Sequence, residues 1–211
     1  MTDISCLLAG LVRIAIPIIT LIIWRKKTGA KIYPAIVALL VCFPVFMLGG
    51  AIRSGFSYTV PFHYYLQQAL LFGILEEGSK FLILKFVLKC DSRKDAVSYG
   101  IGHSAYEAFG GGIACLLLIG ESNVSPDIFF FNLLTAIGGI LFSVALTIII
   151  FYGIKNNKSL LTLPLAILFH ALGNITAELL IIKFVLTIIF CILAFYFWRK
   201  IFYCAIAFIY F

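Results

Sequence analysis

The sequence predicts an all-α, polytopic transmembrane helix bundle of seven spans, and three observations predict it. Of the 211 residues, 63% are hydrophobic and only 12% charged, where a soluble domain carries roughly 25% charged residues. The apolar residues gather into seven runs, each near the ~20 residues that a bilayer crossing needs. The basic residues cluster between alternate runs. With a mean hydropathy of +1.13, a soluble fold of this size could not cover its apolar surface. The solvent for most side chains is lipid.

The spans follow in order along a single transmembrane domain, 1–211. The first, 5–24, is too long for a signal h-region and lacks a small-residue cleavage site, so it reads as a retained span. Spans two to five are 33–52, 64–87, 96–119 and 128–152. The last two, 160–180 and 184–204, are separated only by the short stretch to Lys183, which demands a tight hairpin. Glycines concentrate in span four (Gly100, Gly102, Gly110, Gly111, Gly112), where small residues let helices approach closely.

Charge sets the expected orientation. Arg25, Lys26, Lys27 and Lys31 follow span one, Lys89, Arg93 and Lys94 follow span three, and Lys155 and Lys158 follow span five. Arg199 and Lys200 close span seven, while the alternate loops are nearly free of basic residues. The positive-inside rule then places the N-terminus outside and the C-terminus in the cytoplasm. The net charge of +7 does not point to nucleic acid, because the basic residues form neither a face nor a tail. The six cysteines are scattered, without a CxxC pair, and read as small buried hydrophobes.

Ionisable groups at mid-membrane cost roughly 2.5–3.5 kcal/mol each on insertion scales. Here they are Glu76, Glu77 and Lys80 in span three, His103 and Glu107 in span four, and His170 with the amide Asn174 in span six. Their depths coincide. The glutamates lie ~18 Å of helix before Lys89, His103 and Glu107 lie ~12 and ~18 Å beyond Asp95, and His170 lies ~18 Å beyond Lys158. His103 and Glu107 share a helix side at i, i+4, as do His170 and Asn174. Glu76 and Glu77 point about 100° apart, and Lys80 is placed to neutralise one of them.

Two imidazoles, one or two carboxylates and an amide suit a zinc site with one open position. They suit equally a metal-free site in which a glutamate acts as general base on a held water. Helix packing or a proton or ion pathway uses the same residue types, although a carrier would bring inverted repeats and broken helices that the chain lacks. Arg13, His63 and Glu178 are assigned no role.

These residues resemble the YhfC family of bacterial membrane proteins, within the superfamily of PrsW and the CPBP or CAAX endopeptidases. The resemblance runs through RIAIPIITLIIWRKKTGAKIYPAIVALLV (13–41), LLFGILEEGSKFLILKFVLK (70–89), DAVSYGIGHSAYEAF (95–109) and LPLAILFHALGNITA (163–177). Glu76, Glu77 and Lys80 have the EExxK spacing, Tyr99 and His103 are similar to the aromatic–His motif, Glu107 is similar to the glutamate of PrsW-like members, and His170 with Asn174 matches the third motif. The resemblance implies hydrolysis of a peptide bond in a membrane protein or peptide substrate, in the bilayer of a bacterial cytoplasmic membrane, with or without zinc. By the same resemblance Glu76 or Glu77 activates water, His103 and His170 bind that water or a metal, and Asn174 stabilises the oxyanion. Glu107 and Lys80 support them, or Glu107 joins His103 and His170 as the carboxylate ligand of a metal. A non-catalytic scaffold similar to the APH-1 subunit of γ-secretase is the alternative within the superfamily.

Overall fold

Seven α-helices and no strand make up the described part of the chain, residues 2–56, 61–121, 127–175 and 180–207 of a computed structural model. They are α1 (Thr2–Thr28), α2 (Tyr33–Arg53), α3 (Pro61–Leu82), α4 (Arg93–Leu117), α5 (Ile128–Lys155), α6 (Ser159–Ile175) and α7 (Leu180–Ala207). A π-helical segment, Ile83–Val87, continues α3. Each predicted span corresponds to one helix. The first runs on through Arg25, Lys26 and Lys27, good helix formers, and stops at Gly29, whose φ of +69° suits a helix C-terminus. Leu180, expected in the sixth span, begins α7 instead. The start of the hairpin predicted between the last two spans, Glu178 included, falls outside the described residues, and its end through Lys183 is helical, the first turn of α7.

Three helical stretches are long and apolar enough to cross a membrane on composition alone: Asp3–Thr28, Tyr33–Arg53 and Ile128–Lys155. Ser159–Ile175 and Val185–Arg199 are apolar but shorter. Helices α3 and α4 carry the ionisable groups and need neighbours to shelter them. The packing supplies that shelter. Helix α4 lies against α1, α2 and α5, and α3 lies against α6 and α2. Every residue from Asp95 to Ala105 is buried, the signature of a helix surrounded on all sides. Large apolar side chains such as Ile18, Ile22, Leu40, Phe43, Ile188 and Ile192 are exposed on the outside of the bundle.

Small residues let the helices close on α4, as the glycine count predicts. A Cβ on Gly102 would overlap the backbone of Ala35, so α2 and α4 touch main chain to main chain. Gly111 receives the Arg13 guanidinium and Gly112 receives Ile14, both from α1. Arg13 Nη1 also donates to Asn132 Oδ1 on α5 at 2.6 Å, so this unassigned cation ties three helices together.

The basic clusters converge on one end of the bundle. Trp24 Nε1 donates to the Lys94 carbonyl at 3.0 Å, Lys94 Nζ to the Thr28 carbonyl at 2.9 Å, and the Lys31 amide to Asp95 Oδ1 at 2.8 Å. The Arg93 guanidinium sits 4.5 Å from the Trp198 ring centre. Lys155 pairs with Asp91, holding that exposed carboxyl below its usual range. Beside it, burial pushes the Cys90 thiol up to about 11.

Candidate active site

Three helices bring the polar layer together. Glu76 and Glu77 diverge by about 100° on α3, and this divergence gives them different surroundings. Glu77 is fully buried, and so is Lys80, one turn further along the helix. Lys80 Nζ donates to Glu77 Oε1 at 2.8 Å. The same oxygen accepts from His170 Nδ1, across on α6, at 2.7 Å. A carboxylate can only accept, so His170 donates from Nδ1. In the neutral ring its Nε2 then carries a lone pair.

Glu76 turns the other way. Its Oε2 lies 2.9 Å from His103 Nε2 on α4 and 3.8 Å from His170 Nε2. Its side chain keeps 14% of its exposure, against none for Glu77. Both imidazoles therefore aim Nε2 at one carboxylate oxygen, and each is held from behind. His103 Nδ1 is 3.1 Å from Cys42 Sγ on α2. The Tyr99 ring stacks on His103 with centres 6.5 Å apart, and Phe142 meets His170 edge-on at 5.9 Å.

A cavity of about 580 Å³ opens onto this arrangement. Glu76, His103 and Cys42 line its inner part, and the rings of Phe46, Phe72 and Tyr106 form an aromatic wall. It extends past Gln68 to Arg53 at the end of α2, away from the basic end of the bundle. Glu107 and Asn174 also line it, one helical turn beyond His103 and His170 respectively. Both are exposed. Among the described residues, no hydrogen bond or ion pair joins either of them to the two glutamates or the two histidines. The i, i+4 pattern put them on the right side of their helices but not in the bonded cluster. Exposed His63 is no part of it.

Cys42 is the residue that sequence reasoning missed, since a thiol inside an apolar span reads as a small hydrophobe. The packing of α2 along α4, two turns on from the Ala35–Gly102 contact, brings it to His103.

Two carboxylates and one ammonium, with neutral imidazoles, leave one net negative charge in a low-dielectric interior, which a protonated imidazole or a bound cation would balance. In the neutral Nδ1–H tautomer, His170 Nε2 and Glu76 Oε2 are two lone-pair atoms facing each other at 3.8 Å, an arrangement relieved by a proton on Nε2 or by a cation or donor between them. Glu77 Oε2 and Tyr99 Oη are buried without a hydrogen-bond partner among the described residues. Among those residues no three His, Cys, Asp or Glu side chains form an assembled metal-ligand group. The donor types nevertheless fit one: Glu76 Oε2, His103 Nε2 and His170 Nε2 match the two-imidazole, one-carboxylate set of catalytic zinc sites. Glu107, expected as the carboxylate ligand, stands apart from them.

Comparison with known proteins adds the following. The profile of the YhfC intramembrane metalloprotease family matches residues 12–126, a little over half the chain. That stretch contains Glu76, Glu77, Lys80, His103 and Glu107. The uncharacterized membrane protein YhfC of Bacillus subtilis (strain 168) is 23% identical, over 82% of each chain. No solved structure matches.

Proposed function

The chain belongs to the YhfC intramembrane metalloprotease family, and from that premise we propose that it is a membrane-embedded peptidase whose general base is Glu76. One observation carries the assignment. Lys80 and His170 occupy Glu77, so Glu76 is the carboxylate of the pair that reaches both imidazoles and the cavity.

The hydrolysis divides as follows. A peptide enters the cavity with its scissile carbonyl near Glu76. Glu76 Oε2 takes the proton of an attacking water and later returns it to the leaving amine. His103 and His170 present Nε2 to that water from two sides. Asn174, with an amide on the cavity wall, donates to the carbonyl oxygen as charge develops there. Glu77 and Lys80 stay out of the chemistry, where they hold His170 in its Nδ1–H tautomer. Glu107 lies on the cavity wall, where it supports the substrate rather than the reacting atoms. Were zinc bound, Glu76, His103 and His170 would hold it, and it would supply a Lewis acid and a more acidic water in place of the Glu76 base. A helical substrate must unwind locally, because its carbonyls are tied in hydrogen bonds.

Orientation follows from charge. With the basic end in the cytoplasm, the N-terminus lies outside, the C-terminus lies inside, and the cavity opens towards the outer face. A bacterial cytoplasmic membrane suits this arrangement.

The test uses the purified full chain in lipid nanodiscs with a panel of membrane-spanning peptides. Cleavage by the unaltered protein that is lost in Glu76→Gln, His103→Ala and His170→Ala supports the reading. Cleavage surviving all three, or no cleavage of any peptide with or without added zinc, sinks it and leaves a scaffold as the better description.

A further inference from the structure

The two imidazoles of the site are held differently, and this difference has chemical consequences. Behind His170 stands a carboxylate locked by Lys80, with all three side chains buried. That carboxylate only accepts, so His170 has one tautomer available while it stays neutral. Behind His103 stands the thiol of Cys42, which is both a weak donor and a weak acceptor. With Cys42 S–H donating to Nδ1, the ring carries its proton on Nε2 and donates to Glu76 across 2.9 Å. With Nδ1–H donating to Sγ, Nε2 presents a lone pair instead. The thiol satisfies the ring in both states. Cys42 is buried and lines the cavity, two helical turns along α2 from the Ala35–Gly102 contact.

We propose that Cys42 is a positioning residue of the site: it holds the His103 ring through Nδ1 and lets that ring exchange tautomers, so that Nε2 donates to Glu76 in one state and accepts from a water or a cation in the other. His170 is the fixed acceptor and His103 the convertible one. The proposal rests on the peptidase reading for its consequence in turnover, but not for its consequence in ring structure. Groups standing behind a working imidazole typically change activity or metal affinity by roughly 10–100-fold when removed. Serine retains both a donor and an acceptor at this position. Alanine and valine retain neither, and valine restores the packing volume that alanine loses.

The experiment combines ¹⁵N NMR of the histidine rings with steady-state kinetics on the purified chain and on Cys42→Ala, Cys42→Val and Cys42→Ser. The proposal expects the His103 ring nitrogens to shift in the Ala and Val variants while those of His170 stay put. It expects kcat to fall by roughly 10–100-fold with KM little changed in those two, and Ser to recover most of the loss. His103 nitrogens indifferent to all three substitutions would overturn it. So would a folded Ser variant as inactive as Ala, which would make the thiol itself the reacting group. If the unaltered protein cleaves nothing, the peptidase reading fails on its own, and the ring shifts still decide the role of Cys42.

Discussion

Replacing Gly102 by Ala adds one methyl group at the point where α2 and α4 touch. The Cβ would overlap the backbone oxygen, Cα and carbonyl carbon of Ala35. Neither helix has a flexible side chain there to move aside, so the two backbones must separate. Overpacking of this kind costs about 1–3 kcal/mol, and a main-chain obstacle puts this case near the upper end. For a protein of 150–250 residues each kcal/mol moves the melting temperature by roughly 2–4 °C, so a drop of roughly 6–12 °C is expected. Gly110 is the control, since a Cβ there meets nothing within 4 Å. Gly110→Ala is expected to be neutral or to stabilise α4 by up to about 1 kcal/mol through helix propensity. Separation of α2 from α4 also stretches the 3.1 Å contact between Cys42 and His103, so Gly102→Ala should lose activity as well. Thermal unfolding of the detergent-solubilised protein, followed by circular dichroism, measures both variants. Equal melting temperatures for Gly102→Ala and Gly110→Ala would refute the close crossing and the placement of Cys42 that depends on it.

Other expectations separate chemistry from architecture. Glu76→Gln should lower kcat by about 10²–10⁴-fold with little change in melting temperature, the loss of a general base. Lys80→Met leaves Glu77 buried without its cation and should cost about 3 kcal/mol; adding Glu77→Gln should restore most of that stability without restoring turnover. Elemental analysis tests the zinc form: His170→Ala should hold less zinc than the unaltered protein, and equal zinc in the two would remove His170 as a ligand. At the basic end, Lys155 lowers the folded-state pKa of Asp91, so this pair contributes above the ordinary aspartate range and is lost as pH falls through the lowered value. NMR titration should show Asp91 returning to the ordinary range in Lys155→Met, with almost no change in melting temperature because the carboxyl is fully exposed.

Hydropathy and charge spacing by themselves determined the all-helical class, the number of helices and the layer where the polar groups meet. These properties follow from chain length per residue and from the cost of placing charge in lipid, and both are local. Helical periodicity also determined which residues share a side, as it did for His103 with Glu107 and His170 with Asn174. Only the tertiary structure decided which of Glu76 and Glu77 pairs with Lys80 and which faces the cavity. Periodicity specifies directions relative to a helix's own axis and says nothing about which neighbour stands in each direction. For the same reason a shared side did not make Glu107 or Asn174 part of the cluster: four residues of helix raise a side chain by about 6 Å, enough to move it from the bonded layer to the cavity wall. Cys42 shows the limit most clearly. Its partner His103 stands 61 residues away in sequence, and the two meet on helices packed closely enough that Gly102 has no room for a methyl group.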